Sequence, residues 1–420
     1  MLVPKLRFKR EDGTEYPEWS NKSFANAFAP LNNNTFSRDM LSENGTVLNI
    51  HYGDILVKFG EVCDIKTADI PKVNADIETS KYDELQDGDI ILADTAEDET
   101  VGKAIEIYRV GASKVISGLH TMACRPNDKY ATKYMGYYIN SPTYHNQLLP
   151  FMQGIKVTSI GRKNIADTVI YYPSDLEEQQ KIANFLSTVD EVIAQSEAEV
   201  QNLEQQKKAA MQKIFSQEVR FKREDGSEYP EWEEKSLSDI SEFITKGTTP
   251  KKYSENGCVN FVQINSIVDG AINTDKCLRI DEETHNGFLS RSVLFENDIL
   301  CSIAGALGVI AIVNKDVLPA NTNQALAIIR LNEGSNHRYI AFALSSYVME
   351  KYIKQCKTVG AQPNLSLAQI RDMVVPFPCL KEQQKIADLL SAYDEAIRYA
   401  KQELEHWKQL KKGLLQQMFV

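Results

Sequence analysis

The sequence repeats itself, and the repetition dictates an architecture. The thirteen residues RFKREDGTEYPEW, Arg7 to Trp19, return as RFKREDGSEYPEW, Arg220 to Trp232, with Thr14 against Ser227 as the one difference. A second pair follows. EQQKIANFLSTVDEVI begins at Glu178 and EQQKIADLLSAYDEAI at Glu382, and the likeness continues without a gap to Phe215 and Phe419. The order is short repeat, globular segment, long helix, then the same three again. A chain of 420 residues arranged in this way divides into two equivalent halves, each long enough for its own core. The expected boundaries are 1–172 for a first globular domain, 173–219 for a helical arm, 220–377 for a second globular domain and 378–420 for a second arm.

The arms are helical by period. Ile182, Val189, Ser196, Leu203 and Ala210 lie seven apart, and Leu186, Ile193, Val200, Lys207 and Ile214 form the interleaved set. The second arm repeats the pattern with Ile386, Tyr393, Ala400, Trp407 and Leu414, and with Leu390, Ile397, Leu404, Lys411 and Met418. Apolar residues at both sets over five heptads predict a coiled-coil seam. The polar exceptions coincide, Lys207 matching Lys411. Pro173 and Pro378 stand just ahead of the helices, where proline does not interrupt one. Two matched heptad helices in one chain favour packing on each other, antiparallel and related by a pseudo-two-fold axis. The alternative is an amphipathic helix packed within its own domain.

The globular segments predict an α+β fold. Short runs rich in branched aliphatics, bounded by Gly, Asn or Asp, predict strands at 46–50, 89–94, 114–118, 261–264, 298–305, 309–313 and 324–331. Helices are predicted over 131–149 and 337–356. The halves share a frame: SENGTVLNI (42–50) parallels SENGCVNFV (254–262), and LQDGDIILA (85–93) parallels LFENDILCS (294–302). Residues 118–126 are set against 321–329. Polar detail differs while the frame is kept, as two reading heads for different targets require.

The net charge is −11, which argues against a general affinity for nucleic acid. Its distribution matters more. Residues 20–174 carry 15 basic and 19 acidic side chains, 235–379 carry 14 of each, and 175–219 carry 4 and 9. Any DNA-binding complex containing this chain is expected to draw much of its phosphate contact from another subunit. The opening MLVPKLRFKR lacks an apolar core, so no secretory signal is expected, and no run reaches a membrane-spanning length. Seven scattered cysteines without a Cys-x-x-Cys predict reduced thiols in the cytoplasm. There is no P-loop, no Gly-x-Ser-x-Gly elbow and no Pro-Pro loop of an amino-methyltransferase. The six histidines show no metal-ligand spacing, and no metal site is expected. His120 could hydrogen-bond a base, but a satisfied core or surface histidine is the favoured reading. The chain is read as non-catalytic.

The ordered repeat of PKLRF with EYPEW, of the EQQKIA helix starts behind YYP (171–173) and PFP (376–378), and the run GTTPKKYSENG (247–257) resembles the DNA-specificity subunit of type I restriction–modification systems over essentially the whole chain. The run NNNTFSRDMLSENG (32–45) resembles another branch of the same domain family. The resemblance implies two target-recognition domains, each reading one half of a split double-stranded DNA site, with the helices as an antiparallel spacer. It implies two methyltransferase subunits docked one per half, S-adenosylmethionine carried on those subunits, and a restriction and translocase subunit joining to cut. The thirteen-residue repeat is then either an exposed, partner-facing link or a plain linker leading into each domain. The competing reading is a coiled-coil interaction scaffold with two ligand-binding modules and no DNA role.

Bases are read by side chains that hydrogen-bond their edges, and glycine-flanked loops let the backbone approach. In the first half such loops hold Asn33, Asn34, Thr35, Ser37 and Arg38, then Lys156, Thr158, Ser159, Arg162 and Lys163. In the second they hold Lys246, Thr248, Thr249, Lys251 and Lys252, then Lys357, Thr358, Gln362 and Asn364.

Overall fold

The computed structural model describes residues 3–154, 157–356 and 364–420. The chain forms two compact units, one comprising Met1–Glu197 with Gln402–Val420, the other Ala198–Lys401. Each unit therefore takes the N-terminal part of its own long helix and the C-terminal part of the other. The two helices span Leu176–Phe215 and Leu380–Gln417, and the first is about 60 Å long.

In the first unit a five-stranded sheet runs in the order 28–30, 121–126, 90–93, 104–108, 62–64, beside a four-stranded sheet of 114–117, 47–50, 72–73 and 41–42. The domain is closed by its own ends, since Trp19–Ser23 pairs antiparallel with Val169–Pro173, the strand that leads into the helix. The second unit closes identically, with Glu233–Ser236 on Val374–Phe377. Its sheets order as 241–246, 326–331, 299–302, 310–312 and as 278–280, 259–262, 320–322. The strand expected at 261–264 lies at Val259–Val262. Both predicted helices are broken. Residues 131–149 give Tyr134–Ile139 and Pro142–His145, because Ser141 caps the second helix and Pro142 has no N–H to continue the first. Residues 337–356 break at Ser345–Ser346, whose hydroxyls donate back to the Ala341 and Ala343 carbonyls.

The thirteen-residue repeat is a folded clamp, with Tyr16 and Trp19 buried and Lys9, Glu11, Asp12 and Glu15 exposed. Its Glu-Asp-Gly turn closes a small hairpin. The Arg10 N–H donates to the Thr14 carbonyl, and Gly13 takes φ +83°, which glycine adopts without strain. Arg7 Nε donates to Glu178 Oε1 at 2.7 Å and its Nη2 to Oε2 at 2.9 Å, while Trp19 Nε1 donates to the same carboxylate at 3.3 Å. Glu178 is fully buried in the first turn of the central helix, where the helix dipole favours an anion. The second copy repeats every contact. Arg220 and Trp232 hold buried Glu382, with donor distances of 3.0 to 3.3 Å. The next residue also works identically in both. Gln179 accepts from the Ala131 N–H and donates to the Pro173 carbonyl; Gln383 accepts from the Asn336 N–H and donates to the Pro378 carbonyl. The likeness of the two sequence repeats is thus the likeness of one joint made twice.

The helices meet antiparallel within each unit. In the first, Ile182, Leu186 and Val189 are buried, Ile193 is half-buried, and Leu404 and Trp407 of the returning helix are half-buried. In the second, Val200, Ile386 and Leu390 are buried, and Leu203, Tyr393 and Ile397 half-buried. The seam lysines find carboxylates. Lys411 meets Asp190 at 2.6 Å and Glu61, and Lys207 meets Asp394, the residue equivalent to Asp190 in the other repeat. Burial pulls the Lys411 pKa down, but Glu61 and Asp190 outweigh it and the net direction is up. Burial and the Glu61 carboxylate raise the Asp190 pKa, against Lys411 and the Tyr137 hydroxyl, which donates to it at 2.6 Å.

Two stability predictions follow from these pairs. Glu178→Ala strands Arg7, whose side chain is 10% exposed, and is expected to cost the first unit about 3–5 kcal/mol in denaturant unfolding. Arg10→Ala, which breaks a more exposed and solvent-screened pair with Asp175, should cost far less. Equal effects would refute the clamp. Lys411→Met removes the cation from Asp190. The folded-state pKa of Asp190 already lies above its unfolded value, so its stabilising contribution is complete below the unfolded carboxylate pKa and is lost as pH rises through the folded one. Removing Lys411 raises that pKa further. The variant should therefore lose about 3–5 kcal/mol near pH 8 and markedly less near pH 4; a loss independent of pH would contradict this.

Candidate nucleic-acid interface

The frame beneath the candidate loops is fixed by one buried ion pair per unit. Arg125 donates to Asp89 through Nε at 2.9 Å and Nη2 at 2.7 Å, and Arg330 donates to Asp298 at 2.8 Å through both. Asp89 and Asp298 are 1% exposed, and each hydrogen-bonded carboxylate raises the pKa of its arginine. Asp89 and Asp298 occupy the matched motifs GDIILA and NDILCS, so Arg125 and Arg330 are equivalent. This corrects the expected alignment of 118–126 with 321–329. The structural match sets 120–126 against 325–331, because the strands must keep the arginine opposite the buried aspartate.

In the first unit the two candidate loops come together. Arg162 Nη2 donates to Asn33 Oδ1 at 2.7 Å, and Asn33 Nδ2 donates to the Gly118 carbonyl at 3.2 Å. Thr35, Arg38, Ser159, Arg162 and Lys163 are exposed; Asn33, Ser37 and Thr158 are half-buried. Arg38 reaches Asp54 at 2.8 Å, and Ser37 donates to Asp39. Burial, then the Arg38 cation, lowers the pKa of neighbouring His51. Thr158–Ser159 pairs antiparallel with Thr95–Ala96, which carries the second loop onto the sheet.

Asn34 does not belong to this surface. It is fully buried, its Nδ2 donates to Asn49 Oδ1 at 2.6 Å and to the Ser117 carbonyl at 2.8 Å, and its Oδ1 accepts from the Phe36 N–H at 3.0 Å. A triple Asn run conceals this, since Asn32, Asn33 and Asn34 differ only in the direction each side chain takes.

In the second unit Lys246, Thr249, Lys251, Lys252 and Asn364 are exposed and Thr248 is half-buried. Lys156, Lys357, Thr358 and Gln362 lie outside the described residues. The Thr248 N–H donates to the Thr322 carbonyl, and the Thr249 hydroxyl donates to Gln324 Oε1, so the first loop is tied to the turn entering the strand 326–331. Lys251 stands 5.8 Å from the ring of Phe288, which is 57% exposed. The turns before the two equivalent strands hold His120 in one unit and Gln324 in the other; the sequence reading weighs His120 as a base contact without choosing it and does not consider Gln324. The signal available was the Arg125–Arg330 match, which places both turns beside the loops.

Two independent domains of one design, each presenting polar loops on a rigid sheet, define a class of paired recognition proteins. A family model described as type I restriction modification DNA specificity domain matches residues 32–205 and again 229–408, and the chain belongs to this family. It is 28% identical over 376 residues to a protein of Methanocaldococcus jannaschii named "Putative type I restriction enzyme MjaX specificity subunit", across 86% of this chain and 82% of that one. The EcoBI specificity subunit of Escherichia coli is 26% identical over 295 residues, covering 64% and 61%. The S subunit of a type I restriction–modification system from M. genitalium superposes with a TM-score of 0.57 at 16% identity, covering 100% and 99%. A chain from a structure of type I system assembly and conformational transition gives 0.59 at 16% identity, covering 95% and 97%. These two establish a shared fold.

The inward and outward placements are separable by stability. Asn34→Ala should cost about 2–3 kcal/mol, because it leaves the Asn49 amide oxygen and the Phe36 N–H without partners in the interior. Thr35→Ala next to it should stay within about 0.5 kcal/mol. Thermal or denaturant unfolding of the two variants checks both, and a costly Thr35→Ala with a neutral Asn34→Ala would reverse the assignment.

Proposed function

We infer that this chain is the non-catalytic sequence-reading subunit of a type I restriction–modification complex. Each unit reads one half of a bipartite double-stranded DNA site, and the paired helices space the halves. Two methyltransferase subunits, carrying S-adenosylmethionine, act on an adenine in each half-site, and restriction and translocase subunits join in the cytoplasm. The observation that carries this reading is duplication with a divided fate. Clamp, closing strands, Arg–Asp pair and helix are the same in both units, while the loops above them hold Asn33, Thr35 and Arg162 in one and Lys246, Thr249 and Lys251 in the other. A constant frame with divergent polar loops suits one partner type bound twice and two different base sequences read once each. Among the described residues no helix is long and apolar enough to cross a membrane.

The test is the chain purified with its methyltransferase subunits, assayed for retention on DNA libraries and by mapping methylated adenines in cells with and without it. Sequence-specific retention by the complex is expected, with no methyl transfer or cleavage by the chain alone. Turnover by the isolated chain, or specificity of the methyltransferase without it, would refute the reading. The halves should also be separable. Replacing residues 20–172 with the matching segment of a relative is expected to change one half-site in the methylation map and leave the other intact. A change in both would rule out independent heads.

A further inference from the structure

The geometry points to His120 as a base-reading, specificity-determining residue of the first unit; this rests on the reading of the chain as a DNA-recognition subunit. His120 sits at the tip of the turn between strands 114–117 and 121–126, with φ +53°, a left-handed backbone that non-glycine residues seldom adopt. Its side chain is 47% exposed. The turn lies against both candidate loops. Asn33, held by Arg162, donates to the Gly118 carbonyl, and the Asp94 N–H donates to the His120 carbonyl at 3.1 Å. Asp94 in turn accepts at its carbonyl from the Ile160 N–H at the end of the second loop.

The ring is oriented, and its tautomer is fixed. Nδ1 lies 3.2 Å from Asp94 Oδ1 and 3.3 Å from Thr95 Oγ1. The Thr95 hydroxyl gives its one hydrogen to Asp94 at 2.7 Å, so both neighbours of Nδ1 can only accept. Nδ1 must carry the ring proton. Tyr52 packs edge-on against the imidazole at 5.2 Å and holds its plane. In the neutral ring Nε2 is then a bare acceptor, and among the described residues none of the hydrogen bonds reaches it. An outward acceptor in the groove selects a base that offers an amino hydrogen, adenine through N6 or cytosine through N4. A surface histidine without a role has no reason to be held by three side chains in a strained backbone with its far nitrogen empty.

The second unit builds the corresponding turn with different chemistry. Gln324 is exposed there, and its Oε1 is occupied by the Thr249 hydroxyl, which leaves the amide N–H groups outward. The corresponding turn thus presents an acceptor in one unit and, one residue earlier in the strand match, donors in the other.

The experiment uses the chain in complex with its methyltransferase subunits. Wild type, His120→Gly and His120→Asn are compared by adenine-methylation mapping and by binding to a library varied at every position of both half-sites. Glycine accepts the positive φ, and asparagine tolerates it while shortening the side chain, so the turn survives in at least one variant. Both variants should bind the wrong base at one position of one half-site roughly tenfold better relative to the right one. That position should require adenine or cytosine in the wild type, and the other half-site should be unchanged. Unaltered preferences in both half-sites would overturn the proposal while leaving the subunit's function intact. Relaxation at a position where the wild type requires guanine or thymine would overturn it too. A wild-type complex without sequence preference would overturn both this and the function on which it rests.

Discussion

The structure hangs on a carboxylate buried at the start of each long helix. Glu178 and Glu382 are 0% exposed, and an isolated charge there would be prohibitive. Each is instead met by a two-pronged arginine and an indole N–H from the short repeat. One joint thereby fixes three things at once: where the chain enters the domain, where the last strand leaves it, and the direction in which the helix departs. The adjoining glutamines, Gln179 and Gln383, tie the same helix turn to the backbone of the domain behind it. The first turn of each helix is thereby tied to its domain by side-chain and backbone hydrogen bonds together.

The seam between the helices is specified by its imperfections. Apolar residues at heptad positions would allow several registers at similar cost, since neighbouring heptads resemble one another. Lys207 and Lys411 remove that freedom. Each must find a carboxylate, and Asp394 and Asp190 supply it at equivalent places. The first unit adds Glu61 from the globular domain, which locks helix and sheet together where the second unit relies on the Phe342 ring beside Lys207. The energetic gain of such pairs is small, but the penalty for leaving one unpaired is large, so they select one register.

On this frame the polar loops are free to differ. The Arg125–Asp89 and Arg330–Asp298 pairs bind an interior strand of each sheet to the start of its neighbour and are the same in both units, whereas the turns and loops carry different donors and acceptors. The buried pairs carry the part of the frame that both units share, and the exposed polar residues carry the part that differs.

The duplication, the helical arms, their heptad phase and the α+β character of the domains were legible in the chain because they depend on local period and on repetition. Even the anomalous lysines were visible as coincident exceptions. What answered them was not, because Asp190, Glu61 and Asp394 lie far away in sequence and enter only through the antiparallel return. The same holds for the site. Loop composition located the candidate regions. It could not tell Asn33 from Asn34, which differ in nothing but the side of the backbone they occupy. Nor could it orient the His120 ring, since Nδ1 is held by Asp94 and Thr95, some 25 residues away. Local pattern determines which elements form; only packing decides which polar group turns inward to be satisfied and which is left facing out with a hydrogen bond to offer.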